Sequence, residues 1–143
     1  NIWMVNWRNK SMQKLGQRIG LVAFILLGIA ACSSTEGASA AIEDYLKALE
    51  AKDDVAAVNA SCLAWEQGAF AEASSFEAVE VTLEGLSCRE AGSLDGSTLV
   101  RCEGTFVANY GGEIQNIDVS LRNFRAVDED GVWKMCGYAP AAE

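Results

Sequence analysis

The chain has no histidine, one proline, no close CxxC pair, and no acidic side chain before Glu36. Each absence closes off a class of function. Without histidine there is no Ser-His-Asp triad and no His-ligated zinc site, so any chemistry would rest on Asp, Glu, Tyr, Lys or Cys. Without paired CxxC motifs, four thiolates have no usual spacing for a structural metal. Positive charge is also scarce, with 11 basic against 20 acidic residues and a net charge of −9. That balance argues against a nucleic-acid partner, and no repeat or low-complexity tract suggests an array or a disordered scaffold. No cofactor and no metal site is expected.

What is present begins with an export signal. Arg8, Lys10, Lys14 and Arg18 precede an uncharged run over residues 19–31, which Ser33, Ser34, Thr35 and Glu36 then interrupt. A membrane span needs roughly 20 apolar residues, so this run reads as a signal peptide over residues 1–31 and not as a permanent anchor. Met12 begins a complete signal peptide by itself, and residues 1–11 are expected to be upstream sequence. Removing residues 1–31 takes away four of the eleven basic residues and none of the twenty acidic ones, leaving 112 residues with a net charge of −13. That is one small domain with room for a single core, too acidic to adhere to anionic lipid by itself.

Four of the remaining cysteines are Cys62, Cys88, Cys102 and Cys136. An even number in an exported chain implies disulfides, and four cysteines allow three pairings. Cys88 and Cys102 flank the turn Leu94-Asp95-Gly96-Ser97 between two strand-like runs, which pairs them across a hairpin and leaves Cys62 for Cys136.

Residues 32–38 read as a polar tether, 39–138 as the domain, and 139–143 as a tail holding Pro140. Ser39 is placed to cap a first helix, where Ile42, Tyr45, Leu46 and Leu49 form an apolar stripe while Glu43, Asp44, Lys47 and Glu50 face water. Asp53 or Asp54 caps a second helix carrying Val55, Val58, Cys62 and Trp65 on one face and ending near Gly68. Residues 69–77 are either a third helix or a loop. Beyond Ala78 the period becomes two: Val79, Val81 and Leu83, bent at Gly85; then Val100, Cys102, Phe106, Ala108 and Tyr110; then Ile117, Val119 and Leu121 continuing through Phe124 and Val127; then Val132 to Tyr138. Gly111-Gly112 and Asp130-Gly131 make the turns, so neighbouring strands are antiparallel, and the acidic run Asp128-Glu129-Asp130 is a solvated hairpin tip and not a calcium loop. The expected class is α+β: two or three N-terminal helices packed on a curved four-stranded antiparallel sheet.

Two resemblances sharpen this reading. Ile29-Ala30-Ala31-Cys32, closing the apolar run, resembles the bacterial lipobox, which implies that Cys32 is the lipid attachment site. The protein would then be extracytoplasmic and anchored to the bacterial membrane, the outer one if the organism has two, because Ser33 and not aspartate follows the cysteine. The opening AIEDYLKALEAKD at 41–53 and the closing GVWKMCGY at 131–138 are similar to those of small bacterial lipoproteins in the cone-shaped cystatin-like superfamily, which includes nuclear transport factor 2 and ketosteroid isomerase. That resemblance implies a pocket between helices and sheet, for which Trp65, Phe70, Phe76, Phe106, Tyr110, Phe124, Trp133 and Tyr138 are the candidates, against the plainer alternative that they are core. It also implies that a homodimer through the sheet is one form open to the chain.

Three functions stand at this level. The first is a non-enzymatic module that binds an apolar small molecule or an envelope protein. The second is an isomerase or dehydratase, for which the resemblance nominates Asp44, Asp118, Tyr45 and Tyr110 as an acid-base set. The third is a docking, assembly or inhibitor subunit using the polar sheet face of Glu80, Thr82, Arg101, Glu103, Thr105, Asn109, Asp118, Ser120 and Arg122. No catalytic residue stands out from the sequence.

Overall fold

The structure is a computed structural model that describes residues 37–141. The expected signal peptide, Cys32, all but the end of the expected tether, and residues 142–143 lie outside the described residues. Three helices, α1 (Ala38–Glu50), α2 (Asp54–Asn59) and α3 (Glu66–Ser75), precede an antiparallel sheet of five strands, β1 (Glu80–Leu94), β2 (Ser97–Tyr110), β3 (Glu113–Asp118), β4 (Arg122–Glu129) and β5 (Val132–Pro140). The class is therefore α+β, with five strands where four are expected. The difference lies at Val119–Leu121, a 3-10 turn that divides the expected third strand into β3 and β4. One edge of β2 pairs with β1, while the other is shared by β3 against residues 105–110 and β4 against residues 98–100. β5 closes the order beyond β4.

Helix α1 buries the expected stripe, with Ile42, Tyr45, Leu46 and Leu49 all at 2% exposure or less, and it lies across β1, β2, β4 and β5. Ser39 does not cap it. The helix starts at Ala38, and the extended Gly37 before it makes no side-chain cap. Its glutamates also differ from expectation. Glu50 Oε1 accepts the Leu83 N–H at 2.7 Å and Glu43 Oε1 accepts the Cys88 N–H at 3.0 Å, so two carboxylates seven residues apart satisfy the unpaired side of β1. An edge strand whose donors are occupied is a poorer template for a further strand.

The second expected helix is interrupted. Asp53 caps α2 by accepting the Ala56 N–H at 2.9 Å, but the helix stops at Asn59, and Val55 is left exposed. Ser61 Oγ donates to the Ala57 carbonyl, and the chain then runs extended beside β5: Met135 N–H donates to Ala60 O, and Cys62 N–H to Met135 O. Beta-edge pairing at Met135 thus replaces helix exactly where Cys62 must reach Cys136. Both disulfides form as the spacing predicts, Cys62–Cys136 with a Cα separation of 5.2 Å and Cys88–Cys102 with 4.1 Å across the β1–β2 register. Of residues 69–77, left open by the sequence, 69–75 belong to α3, which starts at Glu66 and so has Gly68 inside it and not at a helix end.

Three register shifts interrupt the sheet, one of them between Glu90 and Gly92 near the β1–β2 turn, and the other two set its faces. The β1–β2 register shifts between Glu84 and Ser87, where Gly85 has φ +66°. The β4–β5 register shifts so that Phe124 faces Tyr138 while Ala126 faces Met135, and Gly137 at φ +98° takes up the extra residue. Strict alternation would place Met135 and Tyr138 on opposite faces; the bulge brings both to the core side. β5 runs on to Pro140, whose carbonyl accepts the Asn123 amide at 3.2 Å, so Pro140 ends a strand and is not tail.

Candidate functional site

A cleft of about 180 Å³ opens between the helices and the sheet. Leu46 and Leu49 of α1, Phe76 after α3, Phe106 of β2, Ile117 of β3 and Val119 form its apolar walls, and Glu72, Asp118, Arg122 and Tyr138 bring polar groups to it. Each comes from a different element, so the cleft exists only once helices and sheet have docked.

Glu72 is the centre. Its Oε2 accepts the hydroxyls of Tyr45 at 2.6 Å and Tyr138 at 2.7 Å, joining α1, α3 and β5 at one oxygen. The Tyr45 oxygen in turn accepts the Trp65 indole N–H at 3.3 Å. Burial first, and then the Glu72 charge, push both tyrosines well above their ordinary value, so both stay protonated and act as donors near neutral pH. Glu72 Oε1 has no hydrogen-bond partner among the described residues.

Trp65 is held by two glycines. A Cβ at Gly68 would lie 2.8 to 3.0 Å from three indole atoms, and one at Gly137 would lie 3.4 Å from the ring. The indole meets Tyr138 edge-on, with centroids 5.5 Å apart and planes at 88°. Small residues on α3 and β5 therefore make the slot that aims the indole N–H at Tyr45.

Arg122 lies on the other side of Tyr138, its guanidinium carbon 4.1 Å from the ring centroid, a cation–π contact. Although Arg122 and Glu72 border the same cleft, they form no ion pair, and Arg122 pairs with no other carboxylate among the described residues. Asp118 is at the rim, where hydrogen bonds from Ser120 hold its carboxyl below the ordinary value.

The sequence candidates divide accordingly. Phe76 and Phe106 line the cleft, with their rings 5.3 Å apart, and Phe124 packs behind Tyr138 at 5.2 Å. Trp65 stands behind the polar cluster. Trp133 borders a separate cleft of about 360 Å³, together with Ala41, Asp44 and the β4–β5 turn, where walls are mostly small or polar. Phe70 and Tyr110 stand outside, 50% and 42% exposed. Of the acid-base nominees, Asp118 lines the first cleft, Tyr45 is buried behind it and touches it only through its hydrogen bond to Glu72, and Asp44 and Tyr110 are not part of it. The sequence does not point to Glu72, since the two glutamates of AFAEASSFE, Glu72 and Glu77, carry no spacing signal.

Among the described residues there is no cluster of acidic or cysteine side chains fit for a metal, and no helix long and apolar enough to cross a membrane. No protein-family model, curated protein or solved structure matches the chain.

Proposed function

We propose that this is an extracytoplasmic lipoprotein, anchored to a bacterial membrane through Cys32, whose cystatin-like or nuclear-transport-factor-2-like domain binds a small, mainly apolar molecule without transforming it. The observation that carries the reading is the cleft itself: apolar walls from Leu46, Leu49, Phe76 and Phe106, with the charged residues Glu72 and Arg122 in its lining. Such a combination, apolar surface with a few converging polar groups, is the usual make-up of a ligand site. Two disulfides favour an oxidising compartment, in keeping with export. Against catalysis, both buried tyrosine protons are committed to Glu72 Oε2, so neither hydroxyl is free to stabilise a developing oxyanion in the cleft.

Benzene is a direct probe, because an apolar cavity of about 150 Å³ accepts it. Titrated into the full chain in phospholipid nanodiscs, it shifts the methyl resonances of Leu46, Leu49 and Val119 and leaves those of exposed Val132 in place. Uniform or absent shifts contradict the reading and leave an envelope protein as the partner to seek. The anchor is tested separately: Cys32→Ser abolishes fatty-acid labelling and releases the protein from the membrane fraction, whereas unchanged labelling overturns the assignment.

A further inference from the structure

The geometry points to the ligand class: a small apolar α-amino acid in its zwitterionic form, with its ammonium at Glu72 Oε1 and its carboxylate at Arg122. This deepens the preceding proposal and rests on it. Glu72 and Arg122 carry opposite charges beside one cleft, yet they do not pair with each other. Charges left apart at a shared opening are satisfied by a solute that offers the opposite charge to each.

The simpler ions fit less well. A plain amine gains Glu72 and the rim carboxylate of Asp118 but faces the Arg122 guanidinium fixed over Tyr138. A plain carboxylate gains Arg122 but meets those two carboxylates and a chain of net charge −9. A zwitterion avoids both conflicts. Its side chain has a place as well, because a cleft of about 180 Å³ is larger than the roughly 150 Å³ that holds benzene. A phenyl or isobutyl group therefore fills the apolar part while the charged head stays at the mouth. Tyr45 and Tyr138 act as positioning residues, since their two hydrogen bonds hold Glu72 Oε2 and leave Oε1 without a hydrogen-bond partner among the described residues.

The test titrates L-phenylalanine, L-leucine, phenethylamine and 3-phenylpropanoate into the full chain in nanodiscs by calorimetry, with benzene-induced methyl shifts measured on the same sample. L-phenylalanine is expected to bind at least tenfold more tightly than either single-charge analogue. Arg122→Gln removes that advantage, bringing L-phenylalanine to the affinity that phenethylamine has for the same variant, and Arg122→Lys retains part of it; near-ultraviolet circular dichroism establishes that each variant is folded. Should benzene shift the cleft resonances while L-phenylalanine binds no better than its analogues, or equally well to Arg122→Gln, the zwitterion assignment is overturned and the cleft reading survives. If neither benzene nor any of the four compounds perturbs the cleft, both fall together.

Discussion

Replacing Gly68 by alanine tests the seat of Trp65, on which the polar cluster depends. In an open helix the change would stabilise, because glycine costs about 1 kcal/mol relative to alanine in a helix interior. Here the added methyl would sit 2.8 to 3.0 Å from three indole atoms, and Gly137 is against the other part of the ring at 3.4 to 3.6 Å. Overpacking of this kind costs about 1–3 kcal/mol, and displacing the indole also endangers its hydrogen bond to Tyr45, worth about 1 kcal/mol. The net expectation, after the gain in helix propensity offsets the lost hydrogen bond, is a loss of about 1–3 kcal/mol, at roughly 4–8 °C in Tm per kcal/mol for a domain of this size. Thermal unfolding by circular dichroism measures it, with the near-ultraviolet tryptophan bands reporting on the ring. A double variant, Gly68→Ala with Trp65→Phe, should recover part of the loss, since the smaller ring leaves room for the methyl. A rise in Tm for Gly68→Ala alone would refute the argument and show that Trp65 is free to move aside.

Removing Cys62–Cys136 by paired alanine substitution should cost about 4 kcal/mol and removing Cys88–Cys102 about 3, because their loops differ in length, with sequence separations of 74 and 14; urea midpoints in the reverse order contradict the entropic account. Glu43→Ala and Glu50→Ala each strip an acceptor from a β1 N–H, and each should lower stability by about 1 kcal/mol and raise amide exchange at Cys88 and Leu83 respectively; unchanged exchange would mean that water serves the strand equally well. Above pH 10 the unfolded chain releases the Tyr45 and Tyr138 protons while the folded chain keeps them, so the unfolded state binds fewer protons and stability falls as pH rises. That stability is fully present below the ordinary tyrosine value. Urea unfolding from pH 8 to 11.5 should show the decline, flattened in Tyr45→Phe/Tyr138→Phe; an equal decline in that variant would assign it elsewhere.

Periodicity made the α1 stripe, the hairpin at Asp95-Gly96 and both disulfides legible, because each depends on residues close in sequence or on a regular repeat. The break at Asn59 was not legible. Val55, Val58, Cys62 and Trp65 do fall at helical spacing, but the pairing of Ala60 and Cys62 with Met135 is a long-range contact that local spacing cannot express. Gly68 reads as a helix terminator for the same reason, whereas it lies inside α3 with an indole against it. At the cleft, aromatic candidates were visible as a class, and Phe76 and Phe106 are there. Tyr138 reaches Glu72 only because the bulge at Gly137 reverses its face, and Glu72 matters only because two tyrosines from other elements converge on it.

The central claim, that the cleft holds a small molecule, is tested most directly by intact mass of the full chain as isolated from cells, first under native and then under denaturing conditions. The account predicts a native mass above the denatured mass by one reproducible small-molecule increment, which disappears when Leu49→Trp fills the cleft. A native mass equal to the denatured mass, or an increment that Leu49→Trp leaves in place, would contradict it.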